Sequence, residues 1–110
     1  MRRPANEARS MSTPMITMHS LRVRRADILR VADRWGARNV RVFGSVARGD
    51  AQCPGDVDFL VEFAPDRSLL DHGGLLSDLE ALLGVPVDLV SERGLRPRFR
   101  ERMLREAYPL

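Results

Sequence analysis

The sequence predicts an α/β (α+β) fold in which one small mixed β-sheet of three to four strands carries helices packed against it. Three observations predict it. Segments with apolar residues at helical spacing alternate with short segments of period two, in the order helix, strand, helix, strand, helix, strand, helix. Glycines at positions 36, 44 and 84 fall at the ends of these segments, where chain direction changes. A length of 110 residues suffices for one small domain and not for two.

Each element has its own signal. Ser20 can cap a helix from Leu21 to about Trp35, with Leu21, Ile28, Ala32 and Trp35 on one side and Gly36 as its stop. Asn39–Phe43 reads as a short strand that ends abruptly at Gly44-Ser45, and Val46–Arg48 as a helical turn. Gly49 to Gly55 is loop by composition. Asp56–Phe63 is the clearest strand: Val57, Phe59, Val61 and Phe63 share one face, Asp56, Asp58, Leu60 and Glu62 the other. A helix follows over Ser68–Leu83, with Leu75, Leu76, Leu79, Leu82 and Leu83 as its stripe. Gly73-Gly74 within it predicts a bend or a late start, since each Gly costs roughly 1 kcal/mol against Ala. Val85–Val90 is a third strand. Pro97 suits the first turn of a last helix that ends near Tyr108-Pro109, with Leu95, Phe99 and Met103 facing inward.

Composition narrows the function classes. The formal net charge is +3, of which the first ten residues hold +2, so the remainder is nearly neutral and carries no nucleic-acid footprint. All 18 basic residues are Arg, a pattern that fits either codon bias or the suitability of Arg for phosphate. Aromatic residues are few, which argues against a base-stacking surface. The lone Cys53 permits no intramolecular disulfide, in keeping with a reducing cytoplasm. No apolar run is long enough to span a membrane. Residues 1–18 are polar, Met-rich and without periodicity; we expect a disordered tail there, with Met11, Met15 and Met18 as candidate true starts, and the folded domain over 19–110.

The chemistry sits in the carboxylates. Asp56 and Asp58, at i and i+2 on a strand, point the same way, with side chains that start about 7 Å apart and repel each other. A divalent ion explains two such charges on an apolar strand more economically than two separate Arg partners. Asp88 interrupts Val87-Asp88-Leu89-Val90 on the face opposite Val87 and Leu89. If its strand neighbours Asp56–Phe63, three carboxylates form an oxygen-rich site suited to Mg²⁺. Gly44-Ser45 is the complementary part: Gly admits close approach of the backbone to an anion, the following N–H groups form a nest for phosphate, and Ser45 adds a hydroxyl. Each piece alone is unspecific. The ordered set of strand, Gly-Ser, Asp-x-Asp on a strand and a later lone Asp is far more so.

With these residues in place, the chain resembles the DNA polymerase β-like nucleotidyltransferase superfamily, and within it the minimal MntA-type antitoxins paired with HEPN toxins. The likeness runs through Val42-Phe43-Gly44-Ser45-Val46-Ala47-Arg48-Gly49-Asp50, Gly55-Asp56-Val57-Asp58-Phe59-Leu60-Val61 and Leu82-Leu83-Gly84-Val85-Pro86-Val87-Asp88-Leu89-Val90, and covers roughly Leu21 to Leu110. The resemblance implies that Asp56, Asp58 and Asp88 hold two Mg²⁺ ions and carry catalysis. It implies that Gly44, Ser45 and Arg48 hold the triphosphate of a nucleotide, with ATP as the expected substrate and the nucleotide preference left open. Arg48 is open to phosphate contact or to an ion pair with Asp50. It further implies transfer of AMP to a tyrosine hydroxyl of a HEPN toxin in the cytoplasm, and so an antitoxin. A non-catalytic antitoxin that acts by contact and a transferase with a small-molecule acceptor are the alternatives. The departures from the family pattern are His72, Gly73-Gly74 and the tail; His72 is open to metal ligation or to a capping or solvent-facing role.

Overall fold

The computed structural model describes residues 16–49 and 56–110. The expected tail falls largely on residues 1–15, and the loop with Asp50 and Cys53 on residues 50–55; both lie outside the described residues. Among these, no helix is long and apolar enough to cross a membrane.

Two short helices, α1 (Met18–Val23) and α2 (Arg25–Arg34), stand where the periodicity predicts one. The start lies earlier than Ser20 because Thr17 is the cap. Its hydroxyl accepts from the Ser20 N–H, and the Ser20 hydroxyl oxygen accepts from the Thr17 N–H. Arg24 leaves helical geometry and divides the two helices. Leu21, Ile28 and Ala32 are buried as the spacing requires.

Strand β1 (Ala37–Phe43) runs directly into α3 (Gly44–Arg48). Asn39 adopts φ 56°, and the pairing register slips between Arg38 and Arg41 at that bulge. Strand β2 (Val57–Phe63) follows, then α4 (Leu69–Leu83), capped by Ser68. α4 is continuous through Gly73-Gly74, against the expected bend. The reason is a neighbour distant in sequence: the Trp35 indole lies against Gly74, where any Cβ would collide with it, and its Nε1 donates to Asp78 Oδ2 at 2.8 Å. Strand β3 (Val87–Ser91) leads through a 3-10 turn to α5 (Pro97–Glu106), and β4 (Tyr108–Pro109) closes the chain. The last helix therefore stops short of Tyr108, and a fourth short strand takes the place of its expected end.

The sheet order is β3-β2-β1-β4. β1 is antiparallel to both β2 and β4, and β2 is parallel to β3, so the sheet is mixed as predicted. Val40 and Val42 of β1, Val57, Phe59 and Val61 of β2, and Val87 and Leu89 of β3 turn one face toward Leu21, Ile28, Leu75, Leu79 and Leu83 of the helices to make the core. The other face is not simply solvent. Leu60 is fully buried there, flanked by register partners Arg41 and Val90. Beside it Arg41 and Glu92 meet at 2.6 Å with both side chains nearly buried, and Arg100 reaches the second Glu92 oxygen at 2.8 Å. This chain of charges ties α5 to the second face. α5 itself buries no residue fully, and Phe99, expected inward, is 52% exposed. Arg100 ties the helix to Glu92, while Arg102 and Arg105 pair with Glu106 and Glu101 within the helix itself.

Candidate active site

The register places the site. Asp58 lies opposite Phe43 on one side and opposite Asp88 on the other, so the three side chains form a row across β1, β2 and β3 on the face away from the core. The adjacency on which the Asp88 reading depended is thus present. The Asp58 and Asp88 carboxyls face each other closely enough to share a hydrogen bond when one of them is protonated, whereas Asp56, just before β2, acts on Asp58 through its charge alone. Among the described residues no three His, Cys, Asp or Glu side chains are close enough together to form a metal-ion group. The structure therefore gives one tight carboxyl pair with a third carboxylate at longer range.

Burial of Asp58, then the charges of Asp88 and Asp56 and the shared hydrogen bond, push its pKa from 3.8 up to about 6. Arg48 opposes the rise, which puts its charge within reach of the pair. A carboxyl whose ionisation is opposed by burial and by two neighbouring acids offers the oxygen ligands that a hard cation takes.

Gly44 occupies the junction of β1 and α3 with φ +77°, a conformation that favours glycine. A Cβ at this position would run into Asp58 Oδ2. The glycine is therefore required by the carboxylate beside it, a constraint the sequence reading assigned only to anion approach. Ser45 sits half-buried in the first turn of α3. The N–H groups of that turn have no partner inside the helix. Arg48 ends α3, exposed, and has partners within the structure.

A cavity of about 290 Å³ opens beside Gly44 and Arg48 and is closed on its far side by Phe99, Arg102, Met103 and Glu106 of α5. Phe99 and Met103 were legible as inward-facing residues, but none of the last four was legible as part of this cavity, because only the placement of α5 across from the β1–α3 junction brings them here. His72, open at the sequence level, bonds through Nε2 to the Leu89 carbonyl at 2.9 Å and stacks obliquely on Phe63. It stands on the core side of the sheet and not among the carboxylates.

Residues 28–109 match the nucleotidyltransferase domain family. The chain belongs to that family. Within it, the chain is closely related to MntA-type protein adenylyltransferases. It is 46% identical over 74 residues to protein adenylyltransferase MntA of Thermococcus cleftensis, an alignment that takes in 67% of this chain and 75% of that one. A solved structure assigned as a minimal nucleotidyltransferase superposes with TM-score 0.77 at 57% identity, covering 86% of this chain and 97% of the other. The structure of a tri-AMPylated HEPN toxin of Shewanella oneidensis with its MNT antitoxin superposes with TM-score 0.62 at 18% identity, over 80% of this chain and 69% of that chain. At that identity the likeness is one of fold. The nucleotidyltransferase is thus a minimal member of its family, and an enzyme by that membership.

Proposed function

We propose that this nucleotidyltransferase transfers AMP from ATP to a hydroxyl, that of a tyrosine, on a HEPN-type toxin and so acts in the cytoplasm as its antitoxin. The observation that carries the proposal is the Asp58–Asp88 pair set side by side on parallel strands with Gly44 packed against Asp58. The naming of its 46% identical relative as a protein adenylyltransferase supports the transfer, and the HEPN–MNT complex of the same fold supports the partner.

The roles follow from chemistry. Asp56, Asp58 and Asp88 would hold magnesium, which when bound neutralises charge on the phosphates and favours ionisation of the attacking hydroxyl. The α3 N–H groups after Gly44, the Ser45 hydroxyl and Arg48 hold the triphosphate. The acceptor oxygen bonds to the α-phosphorus as the bond from that phosphorus to pyrophosphate breaks. The exposed Asp88 carboxylate, on the edge strand, takes the hydroxyl proton, and Arg48 compensates charge on the departing pyrophosphate. Fixed charges and positioning supply most of the rate in such transfers.

The test is incubation with Mg²⁺, labelled ATP and the product of the neighbouring gene, repeated with Asp56→Asn/Asp58→Asn. Label on the partner protein, lost in the double variant, is the expected result. Transfer that survives the substitutions would sink the site. Tight binding by both forms without transfer would favour neutralisation by contact, and label only on small hydroxylated compounds a different acceptor class.

A further inference from the structure

β3 is the outer strand of the sheet, and its free edge sets the position of Asp88. The Val57 N–H donates to the Pro86 carbonyl at 3.1 Å, and in a parallel ladder alternate residues bond to the neighbour. Pro86, Asp88 and Val90 therefore direct their backbone groups at β2, and Val87 and Leu89 direct theirs outward, where no strand follows among the described residues. Two side chains of α4 meet those outward groups. Glu80 Oε2 accepts the Val87 N–H at 3.0 Å, and His72 Nε2 bonds to the Leu89 carbonyl at 2.9 Å, a contact in which Nε2–H donates because a carbonyl oxygen only accepts. The two anchored residues are the immediate neighbours of Asp88 in sequence. Both anchors come from one continuous helix, two turns apart, whose stripe of Leu75, Leu79 and Leu83 is locked in the core.

We propose that Glu80 and His72 are positioning residues for the nucleotidyltransferase site: they clamp β3 on both sides of Asp88 and hold its carboxylate in register with Asp58. The inference rests on the functional reading above. Neither residue touches the carboxylates; both act through the backbone of the edge strand. Edge strands slip and fray unless their outward groups are met, and a slip of one residue would turn Asp88 to the core face.

The test compares variants that keep the hydrogen bond with ones that remove it at similar size: Glu80→Gln and His72→Gln against Glu80→Leu and His72→Leu. Two readouts are taken on the full chain below the melting temperature. One is amide exchange at Val87 and Asp88 by NMR. The other is binding of Mn²⁺ with the α,β-methylene analogue of ATP, followed by EPR. The Leu variants should speed exchange at Val87 and weaken Mn²⁺ binding by about tenfold or more, the range of effects that supporting residues have on metal sites, whereas the Gln variants stay near wild type. Equal binding by all four variants, or equal loss in the Gln and Leu forms, overturns the clamp. Unchanged Val87 exchange in Glu80→Leu also overturns it, whatever the binding result. Failure of the wild-type protein itself to bind Mn²⁺ and nucleotide overturns the functional reading, and with it the purpose of the clamp.

Discussion

Asp58 is held in a place that works against its own charge. The folded protein keeps its proton up to about pH 6, whereas the unfolded chain releases it near 3.8. Folded protein thus binds more protons in that window, stability falls as pH rises through it, and the penalty is complete at pH 7. Asp58→Asn should therefore stabilise the metal-free protein at pH 7 by ~1 kcal/mol after allowance for solvent screening, while abolishing transfer. Thermal melts at pH 7 and pH 4 check this, since the gain should vanish at the lower pH. On the proposed function, the same proton competes with the magnesium ion that Asp58 would hold. The apparent Mg²⁺ requirement of the wild-type enzyme should rise about tenfold between pH 7 and pH 5, measured as the midpoint of a Mg²⁺ titration of activity. Gly44 bears on the same carboxylate. Gly44→Ala meets both a left-handed backbone and Asp58 Oδ2, so a loss of about 2–3 kcal/mol in urea unfolding is expected, together with loss of nucleotide binding.

At the level of elements, charge does for α5 what apolar contact does for α4. Arg41 and Glu92 are nearly buried, and Glu92 also holds Arg100 at the first turns of α5. Hydrogen bonds from Arg41 first, and then from Arg100, keep the Glu92 carboxyl below its usual range. Its contribution is in place at neutral pH and is lost only as pH falls below the usual Glu range toward that depressed value. Glu92→Ala removes the Arg41 and Arg100 contacts and leaves Arg41 only its bond to the Asn39 carbonyl, which should cost about 1–2 kcal/mol, read as a lower urea midpoint. Release of α5 would also open the cavity beside Gly44, so the variant should bind nucleotide more weakly than its stability alone explains. α4, held by Leu75, Leu79 and Leu83 in the core, also makes one close approach. Trp35 occupies the space that a side chain at position 74 would need, which accounts for Gly74, whereas a side chain at position 73 would meet open space.

Across the whole molecule, one sheet divides two tasks. One face supplies the apolar core with α1, α2 and α4, and the other presents the carboxylate row under partial cover from α5. The short β4 matters to this division. It covers the outer edge of β1, and the Leu110 N–H and carbonyl join it to Val40 and to Arg25 of α2. Removal of residues 108–110 should cost about 1–2 kcal/mol and promote self-association, because the freed β1 edge can pair with another chain. Sedimentation of wild-type and shortened protein at equal concentration checks that outcome.

Much of this was legible in the sequence. Period-two alternation identified β2 and its two faces, Gly44-Ser45 and Asp56, Asp58 and Asp88 were singled out by residue type and spacing, and the mixed sheet with packed helices followed from element order. Local patterns carry such information because they record which face of an element is apolar. What they do not record is which elements lie side by side. The pairing of Asp58 with Asp88 joins strands separated by a whole helix. The Gly44–Asp58 contact, the exposure of Phe99, the break at Arg24, β4, and the Arg41–Glu92–Arg100 chain are likewise outcomes of packing. The sequence alone determined the kinds of groups in the site and the strands that bear them. Tertiary structure decided which of them touch, because register, edge pairing and burial arise only when elements distant in sequence compete for the same sheet and the same core.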